Sequence, residues 1–160
     1  MLKYSKRRIV REKVLQILYA YELNQDSHYI TKEEILVEIN DSNDKKFAED
    51  LINRVIINKE SLDERIQSRV ANWEISRIAL LDKVLLRMGI CELLYFPEIP
   101  PKVSINETIE IAKSYSTISS GKFINGIMDA ILTELKEKGE LKKSGRGLVE
   151  ETIIKNVDKK

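Results

Sequence analysis

The strongest candidate for chemistry in this sequence is a cluster of positive charge near its N-terminal end. Residues 1–13 carry six basic side chains and one acidic side chain, a local net charge of +5. The basic residues are Lys3, Lys6, Arg7, Arg8, Arg11 and Lys13. Lysine and arginine bind phosphate groups, and arginine also stacks on unpaired bases. Arg11 follows Arg7 by four positions and Arg8 by three, so a helix is predicted to group them on one exposed side. Because a helix N-terminus disfavours positive charge, the cluster indicates an anionic partner.

The other reactive side-chain types form no catalytic or metal-binding pattern. The chain has one cysteine and one histidine, which excludes an internal disulfide, a multi-cysteine metal site and a His-rich metal cluster. Cys91 lies in an apolar stretch and is predicted to be a small buried residue. His28 lies in a polar segment without a nucleophile motif. Gly121-Lys122 lacks the flanking residues of a phosphate-binding P-loop. We therefore predict no catalytic residue, no metal and no cofactor.

The composition predicts one globular domain with unevenly distributed charge. Of the 160 residues, 42% are hydrophobic and 33% are charged, which is typical of a folded protein. The formal net charge of +1 requires any nucleic-acid site to come from local clustering. Residues 31–64 have a net charge of −5, and residues 136–160 have +3. The longest stretch without a charged residue or histidine is eight residues, too short for a transmembrane helix or a signal-peptide core. We expect a cytoplasmic protein without a membrane partner.

Apolar residues recur at helical spacing along most of the chain. In the first predicted helix, Val10, Val14, Ile17, Leu18 and Tyr21 share one face. The predicted helices span residues 5–24, 31–39, 44–70 (one long helix or a bent pair), 78–96, 104–115 and 121–135. The predicted N-terminal caps are Ser5, Thr31, Asp44 and Ser104. Turns are predicted around Trp73 and over residues 116–121. No segment alternates like a strand, so we predict an all-α bundle of about six or seven helices.

The domain prediction separates a folded part from a charged end. Residues 1–136 are predicted to form one all-α domain, with the proline-containing loop after Phe96 between two helical halves. Residues 137–160 are rich in lysine and glutamate and contain no aromatic residue. They are predicted to be a disordered or weakly helical tail, with a weak amphipathic helix through Val149, Ile153 and Val157.

Three stretches of the sequence together form a recognisable pattern. The first is residues 7–12 (RRIVRE) with 15–19 (LQILY), and the second is 82–87 (DKVLLR) with 92–93 (EL). The third comprises residues 99–100 (IP), 105–107 (INE), 112–113 (AK) and 122–129 (KFINGIMD). In this order and spacing, the set resembles the NusB family of bacterial transcription antitermination factors over about residues 5–135. The INE and KFING segments are its most specific parts.

The resemblance implies an all-α fold of two helical subdomains and a role without catalysis. NusB proteins bind the boxA element of nascent ribosomal RNA transcripts together with NusE, a small-subunit ribosomal protein. The pair joins an antitermination complex on RNA polymerase. That complex keeps ribosomal RNA transcription processive and helps ribosome assembly, so the resemblance implies these partners and this role for the chain.

The resemblance also implies site residues, carried over by position. The positions that match the RNA-binding region are Lys3, Lys6, Arg7, Arg8, Arg11, Lys122 and Phe123. Those that match the partner-binding region are Tyr19, Asp82 and Ser119. Phe123 also follows a core stripe, so core packing is an alternative, and Asp82 is an alternative helix cap. Ile9 and Val10 interrupt the arginine run, which is often denser in the family.

Four further matching residues are predicted to be structural. They are Arg87, Asn106, Glu107 and Asn125. Arg87 lies in an apolar stretch and needs a carboxylate partner, for which Glu107 is a candidate.

Two other functions stay open. One is a helical protein that self-associates through the same surface as a homodimer. The other is an accessory domain related to rRNA cytosine methyltransferases, which needs a Rossmann-like domain with a nucleophilic cysteine. Cys91 lies in the wrong context for that role.

Overall fold

The computed structural model describes residues 6–25, 28–70 and 75–148. Within these ranges the chain forms seven α-helices, one 3-10 helix and no strand, which confirms the all-α prediction. The α-helices are α1 (Lys6–Leu23), α2 (His28–Leu36), α3 (Ser42–Ile57), α4 (Lys59–Gln67), α5 (Leu80–Tyr95), α6 (Pro101–Tyr115) and α7 (Ile118–Glu137). The 3-10 helix (Ile75–Arg77) precedes α5. The predicted Ser5 cap and the Trp73 turn lie outside the described residues.

The central helix of the bundle is α5, which packs against α1, α3, α4, α6 and α7. Every residue from Val84 to Leu93 is buried. Gly89 lets neighbouring helices approach, because an added Cβ would lie 2.8 Å from both Met128 Cε and Thr108 Oγ1. Cys91 is buried as predicted, and burial raises the pKa of its thiol. The helix ends at Tyr95, close to the predicted position near Phe96.

The apolar face of α1 packs as its spacing predicts. Val10, Val14, Ile17 and Leu18 are all buried, and α1 contacts α2, α3 and α5. Tyr21, the last member of the predicted stripe, is only partly buried. Burial of an aliphatic side chain contributes about 1.5–3 kcal/mol, so this face anchors the helix that carries the basic cluster.

The helices in the first half begin and end differently from the prediction. The cap of α3 is Asp41, whose carboxylate accepts the backbone N–H groups of Asn43 at 2.8 Å and Asp44 at 3.1 Å. Asp44 is therefore not the cap, and its side chain is buried. Of the two alternatives for residues 44–70, the pair is confirmed, because α3 and α4 are separate helices that meet at Asn58. The described part of α2 begins at His28 rather than Thr31 and ends at Leu36.

Two helices in the second half also begin earlier than predicted. Pro101 takes the first position of α6, where a missing N–H costs nothing. Ser104 is therefore a buried residue inside α6. Thr117 caps α7 by accepting the backbone N–H of Ser120 at 2.9 Å. Most of the predicted loop over residues 116–121 is thus the first turn of α7.

Part of the predicted tail packs against the domain. The Lys143 ammonium donates to the backbone oxygens of Phe96 at 2.8 Å and Glu92 at 3.1 Å, which caps the end of α5. Gly147 approaches the α5–α6 turn so closely that an added Cβ would lie 2.1 Å from the Pro97 oxygen. The amphipathic helix predicted through Val149 lies outside the described residues. None of the described helices is long and apolar enough to span a bilayer.

Candidate nucleic-acid interface

Lys6 is the first residue of α1 and the first described member of the basic cluster. Its ammonium lies 3.1 Å from Asp41 Oδ2 and 3.2 Å from Asp44 Oδ2. The side chain is 69% exposed, so it can also reach an anion in solvent. Hydrogen bonds to Asp41 and then Asp44 raise the pKa of Lys6. The backbone N–H of Asp44 and the Lys6 ammonium lower the pKa of Asp41.

Arg7 lies beside Lys6 and is held by α3. Its Nε donates to Asp44 Oδ1 at 2.8 Å. Its guanidinium carbon lies 4.3 Å from the centre of the Phe47 ring, a cation–π distance. The side chain is 40% exposed. The ring of Phe47 packs edge-on against Phe96, with 5.4 Å between the ring centres, so a buried aromatic pair supports one side of Arg7.

Arg8 points toward α6 and makes a bidentate ion pair there. Its Nε donates to Glu107 Oε2 at 2.7 Å, and its Nη2 donates to Glu107 Oε1 at 3.1 Å. The two side chains are 20% and 14% exposed. Glu107 raises the pKa of Arg8 chiefly through this hydrogen bonding. Arg8 thus links α1 to α6 at the edge of the surface that Lys6 and Arg7 occupy.

Arg11 is buried, so its predicted place on the exposed side of α1 is wrong. Its Nε and Nη2 donate to the two oxygens of Glu92 at 2.9 and 2.7 Å. Ser104 donates its hydroxyl to Glu92 Oε1 at 3.1 Å. The side chain of Arg11 is 4% exposed. Arg11 lies at the edge of the buried face of α1, because positions three and four residues further along a helix share its side, and Val14 and Leu15 are buried.

Arg87 has different partners from the predicted one. Its Nε donates to Asp63 at 2.7 Å, and its Nη1 donates to Glu22 at 3.0 Å. Glu107, the sequence-based candidate, pairs with Arg8 instead. Arg87 is therefore structural as predicted, but it ties α5 to α1 and α4.

A second candidate surface forms where the start of α7 meets the start of α5. A hollow of about 230 Å³ lies there. Its lining includes Arg77, Asp82, Ser119, Ser120 and Phe123. The structure thus brings three of the predicted site residues together, and the other four lining residues, which include Arg77 and Ser120, were not among the predicted ones. Lys122 is exposed beside them on α7.

Asp82 contributes a buried carboxylate to this hollow. Its Oδ2 accepts the Ser120 hydroxyl at 2.9 Å. Its Oδ1 is also buried and has no hydrogen-bond partner in the described part of the chain. A buried acceptor without a hydrogen bond lowers the stability of the fold by about 1–3 kcal/mol. The N-cap residue of α5 is Ala79, and no side chain makes a cap hydrogen bond there, so the alternative role of Asp82 as the cap is wrong.

The remaining predicted residues differ in how far they are exposed. Phe123 is partly buried and packs against the core, as its core alternative predicts, and it also lines the hollow; its contact with RNA stays a prediction. Tyr19 is 36% exposed on α1 and does not line the hollow. Asn106 and Asn125 are exposed. Lys3 lies outside the described residues.

Sequence reasoning missed the carboxylates that surround the basic cluster. Asp41, Asp44 and Glu107 contact Lys6, Arg7 and Arg8, as described above. Lys13 likewise pairs with Glu38. The sequence did contain a signal for these ion pairs, because the net charge of −5 over residues 31–64 complements the +5 of residues 1–13. Opposite charge blocks of equal size in one domain indicate mutual pairing as readily as an external partner.

Comparison with known proteins establishes the family. The NusB family model matches residues 8–133, most of the chain. The chain belongs to the NusB family. A transcription antitermination protein NusB from Salinibacter ruber is 47% identical over 147 residues, which cover 91% of this chain and 92% of that protein. The NusB of Chloroherpeton thalassium is 49% identical over 146 residues, or 90% of this chain and 69% of that protein.

Solved structures of NusB agree with the fold. The structure of T. maritima NusB has 38% sequence identity and a TM-score of 0.76, and the match covers 87% of this chain and 100% of that one. A structure of antitermination factors NusB and NusE in complex with dsRNA has 24% identity and a TM-score of 0.72, and the match covers 84% of this chain and 99% of that one. Members of the NusB family are transcription antitermination factors rather than enzymes.

Proposed function

We propose that this chain binds boxA-type single-stranded RNA of nascent ribosomal RNA transcripts together with the ribosomal protein NusE. In this role it joins the antitermination complex on RNA polymerase in the cytoplasm, keeps ribosomal RNA transcription processive and promotes ribosome assembly. Support for the two partners comes from the NusB relative that was solved with NusE and dsRNA. The observation that carries the proposal is the exposed cationic start of α1 in a chain of this family.

The RNA surface that we propose centres on Lys6, Arg7 and Arg8. All three lie in the first turn of α1, which α3 and α6 hold in place. Lys122 and Phe123 on α7 are further proposed RNA contacts, since a lysine can meet a phosphate and a phenyl ring can stack on a base. If the three α1 cations each neutralise one phosphate, log K falls against log salt with a slope of about −2.

The NusE surface that we propose is the hollow around Asp82 and Ser119, with Tyr19 as a further contact. The buried Oδ1 of Asp82 supports this, because it has no hydrogen-bond partner among the described residues and a donor from NusE would supply one. The tip of Tyr19 is suited to an interface, because its ring is apolar and its hydroxyl is polar.

The experiment that tests the function measures RNA binding by fluorescence anisotropy. A labelled boxA-type RNA is titrated with the protein, with and without NusE, beside a scrambled RNA of the same length. We expect selective binding of the boxA-type RNA that tightens when NusE is present. Equal and weak binding to both RNAs, with no effect of NusE, would contradict the proposal. A solution mass of two chains in that case would favour the homodimer.

Two sets of variants separate the surfaces. Replacement of both Arg7 and Arg8 by alanine should weaken RNA binding and reduce the salt slope by about 1.4. The matched control replaces Arg65 and Arg69, which also lie in ion pairs but far from α1 in sequence, and should leave RNA binding unchanged.

The partner surface is tested by Asp82→Asn, which should weaken NusE binding and spare binding of RNA alone. The control is Asp129→Asn, an exposed position on α7, which should change neither interaction. An equal effect of the two variants on NusE binding would place NusE elsewhere.

A further inference from the structure

The three arginines at the start of α1 differ in how many donors they have left. A guanidinium has five N–H donors. Arg11 is buried against Glu92, and Arg8 uses two nitrogens on Glu107. Arg7 uses its Nε on Asp44, and within the described residues neither of its Nη atoms donates to an acceptor. The Nη edge of Arg7 therefore keeps four N–H donors for a ligand.

The side chain of Arg7 is also held in one orientation. Asp44 accepts its Nε at 2.8 Å, and the Phe47 ring lies 4.3 Å from its guanidinium carbon. Asp44 is itself fixed, because its backbone N–H is bonded to Asp41 and its side chain is 8% exposed. Phe47 is 5% exposed and packs on Phe96. Two buried groups on one helix thus fix both the edge and the face of the guanidinium.

We propose that Asp44 and Phe47 are positioning residues that hold the Nη edge of Arg7 ready for bidentate contact with one RNA phosphate. This inference rests on the proposed RNA-binding function and goes beyond it, because it assigns a role to two residues that do not touch RNA. Ordering a long side chain on binding costs affinity. A guanidinium that is already ordered avoids that cost, and its fork matches two phosphate oxygens.

The first test replaces Arg7 by lysine. Lysine keeps the charge but has no planar fork, so RNA affinity should fall by roughly threefold to tenfold, the range expected when a preorganised contact is lost. The salt slope should stay the same, because the number of neutralised phosphates does not change. Unchanged affinity for Arg7→Lys would overturn the proposal, since it would show that only the charge of residue 7 matters.

The second test compares Asp44→Asn with Asp41→Asn. Both variants remove one negative charge next to Lys6, and asparagine is as good a helix cap as aspartate, so the general electrostatic effect is matched. Of these two aspartates, Asp44 is the one that pairs with Arg7. We expect Asp44→Asn to bind RNA roughly threefold more weakly than Asp41→Asn. Thermal unfolding of both variants shows how much of each effect is loss of fold.

A double-mutant cycle decides whether the difference acts through Arg7. In an Arg7→Ala background the two aspartate variants should bind RNA equally, whereas a merely structural role of Asp44 would preserve the difference. Equal affinities of the two variants when Arg7 is present, or a difference that persists in the Arg7→Ala background, would refute the positioning role alone. Absence of RNA binding by the unmodified chain would refute the proposed function instead.

Discussion

Replacement of Arg11 by methionine tests whether this arginine stabilises the fold as part of a buried ion pair, although the charge pattern predicted that it would be exposed. Arg11 and Glu92 are 4% and 1% exposed, and two hydrogen bonds of 2.9 and 2.7 Å join them. Methionine preserves much of the apolar stem, but it leaves the Glu92 carboxylate buried with only the Ser104 hydroxyl as a side-chain donor among the described residues. Removal of one partner from a buried ion pair costs about 3–5 kcal/mol. This is a large share of a typical domain stability of about 5–15 kcal/mol.

The assay is urea and thermal unfolding of Arg11→Met, followed by far-UV circular dichroism. At about 2–4 °C for each kcal/mol in a domain of this size, the melting temperature should fall by roughly 6–20 °C. The control is Arg7→Met, which should cost less, because Arg7 is 40% exposed and its partner Asp44 keeps Lys6 at 3.2 Å. Replacement of both Arg11 and Glu92 by methionine should restore most of the stability, because the unpaired buried charge is gone. A cost for Arg11→Met no larger than that for Arg7→Met would refute the reasoning.

Two further predictions concern pH and backbone geometry. Hydrogen bonds from Lys138 and then Arg69 lower the pKa of Glu134 from its ordinary 4.5 to about 2. The carboxylate therefore stabilises the fold above about pH 4.5, and this contribution is lost as the pH falls through about 2. We expect urea unfolding of Glu134→Gln to depend less on pH in that window, and an unchanged pH dependence would contradict the pairing. Gly147→Ala should lower the melting temperature, because its Cβ would lie 2.1 Å from a backbone oxygen. Gly126 is exposed on α7, and a Cβ added there would meet nothing within 4 Å. Gly126→Ala should therefore stabilise the fold by about 0.5–1 kcal/mol. A melting temperature that is higher for Gly147→Ala than for Gly126→Ala would contradict both assignments.

Much of the fold follows from local patterns, because helix periodicity and proline are local signals. The buried residues Val10, Val14, Ile17 and Leu18 are those that the spacing of α1 predicts. The end of α5 is predicted by the prolines that follow Phe96.

The predicted start of α6 failed for a specific reason. Ser104 and Glu107 have the spacing of a capping box. In the structure, however, Ser104 donates to Glu92 and Glu107 binds Arg8. Side chains that suit a helix cap also suit contacts between helices, and local sequence does not distinguish the two uses.

The candidate site, too, could be predicted from the sequence only in part. The family motif and the location of the cationic helix could be predicted from the sequence, and the hollow at the start of α7 contains three residues that the motif had indicated, Asp82, Ser119 and Phe123. That Asp82 Oδ1 finds no hydrogen-bond partner in the described part of the chain could not be predicted, because this depends on which groups the packing of α5 against α7 brings within reach.

The helical class, the apolar faces and the family could all be predicted from the sequence, since each depends on residue types at short spacing or in a motif. Which cations of the basic cluster lie exposed and which are buried in ion pairs depends on the packing of the helices. Arg7, Arg8 and Arg11 belong to one predicted cluster, yet their carboxylate partners lie 37, 99 and 81 positions away. The physical reason is that an ion pair depends on distance and burial in space, and packing against α3, α5 and α6 sets both differently for each arginine.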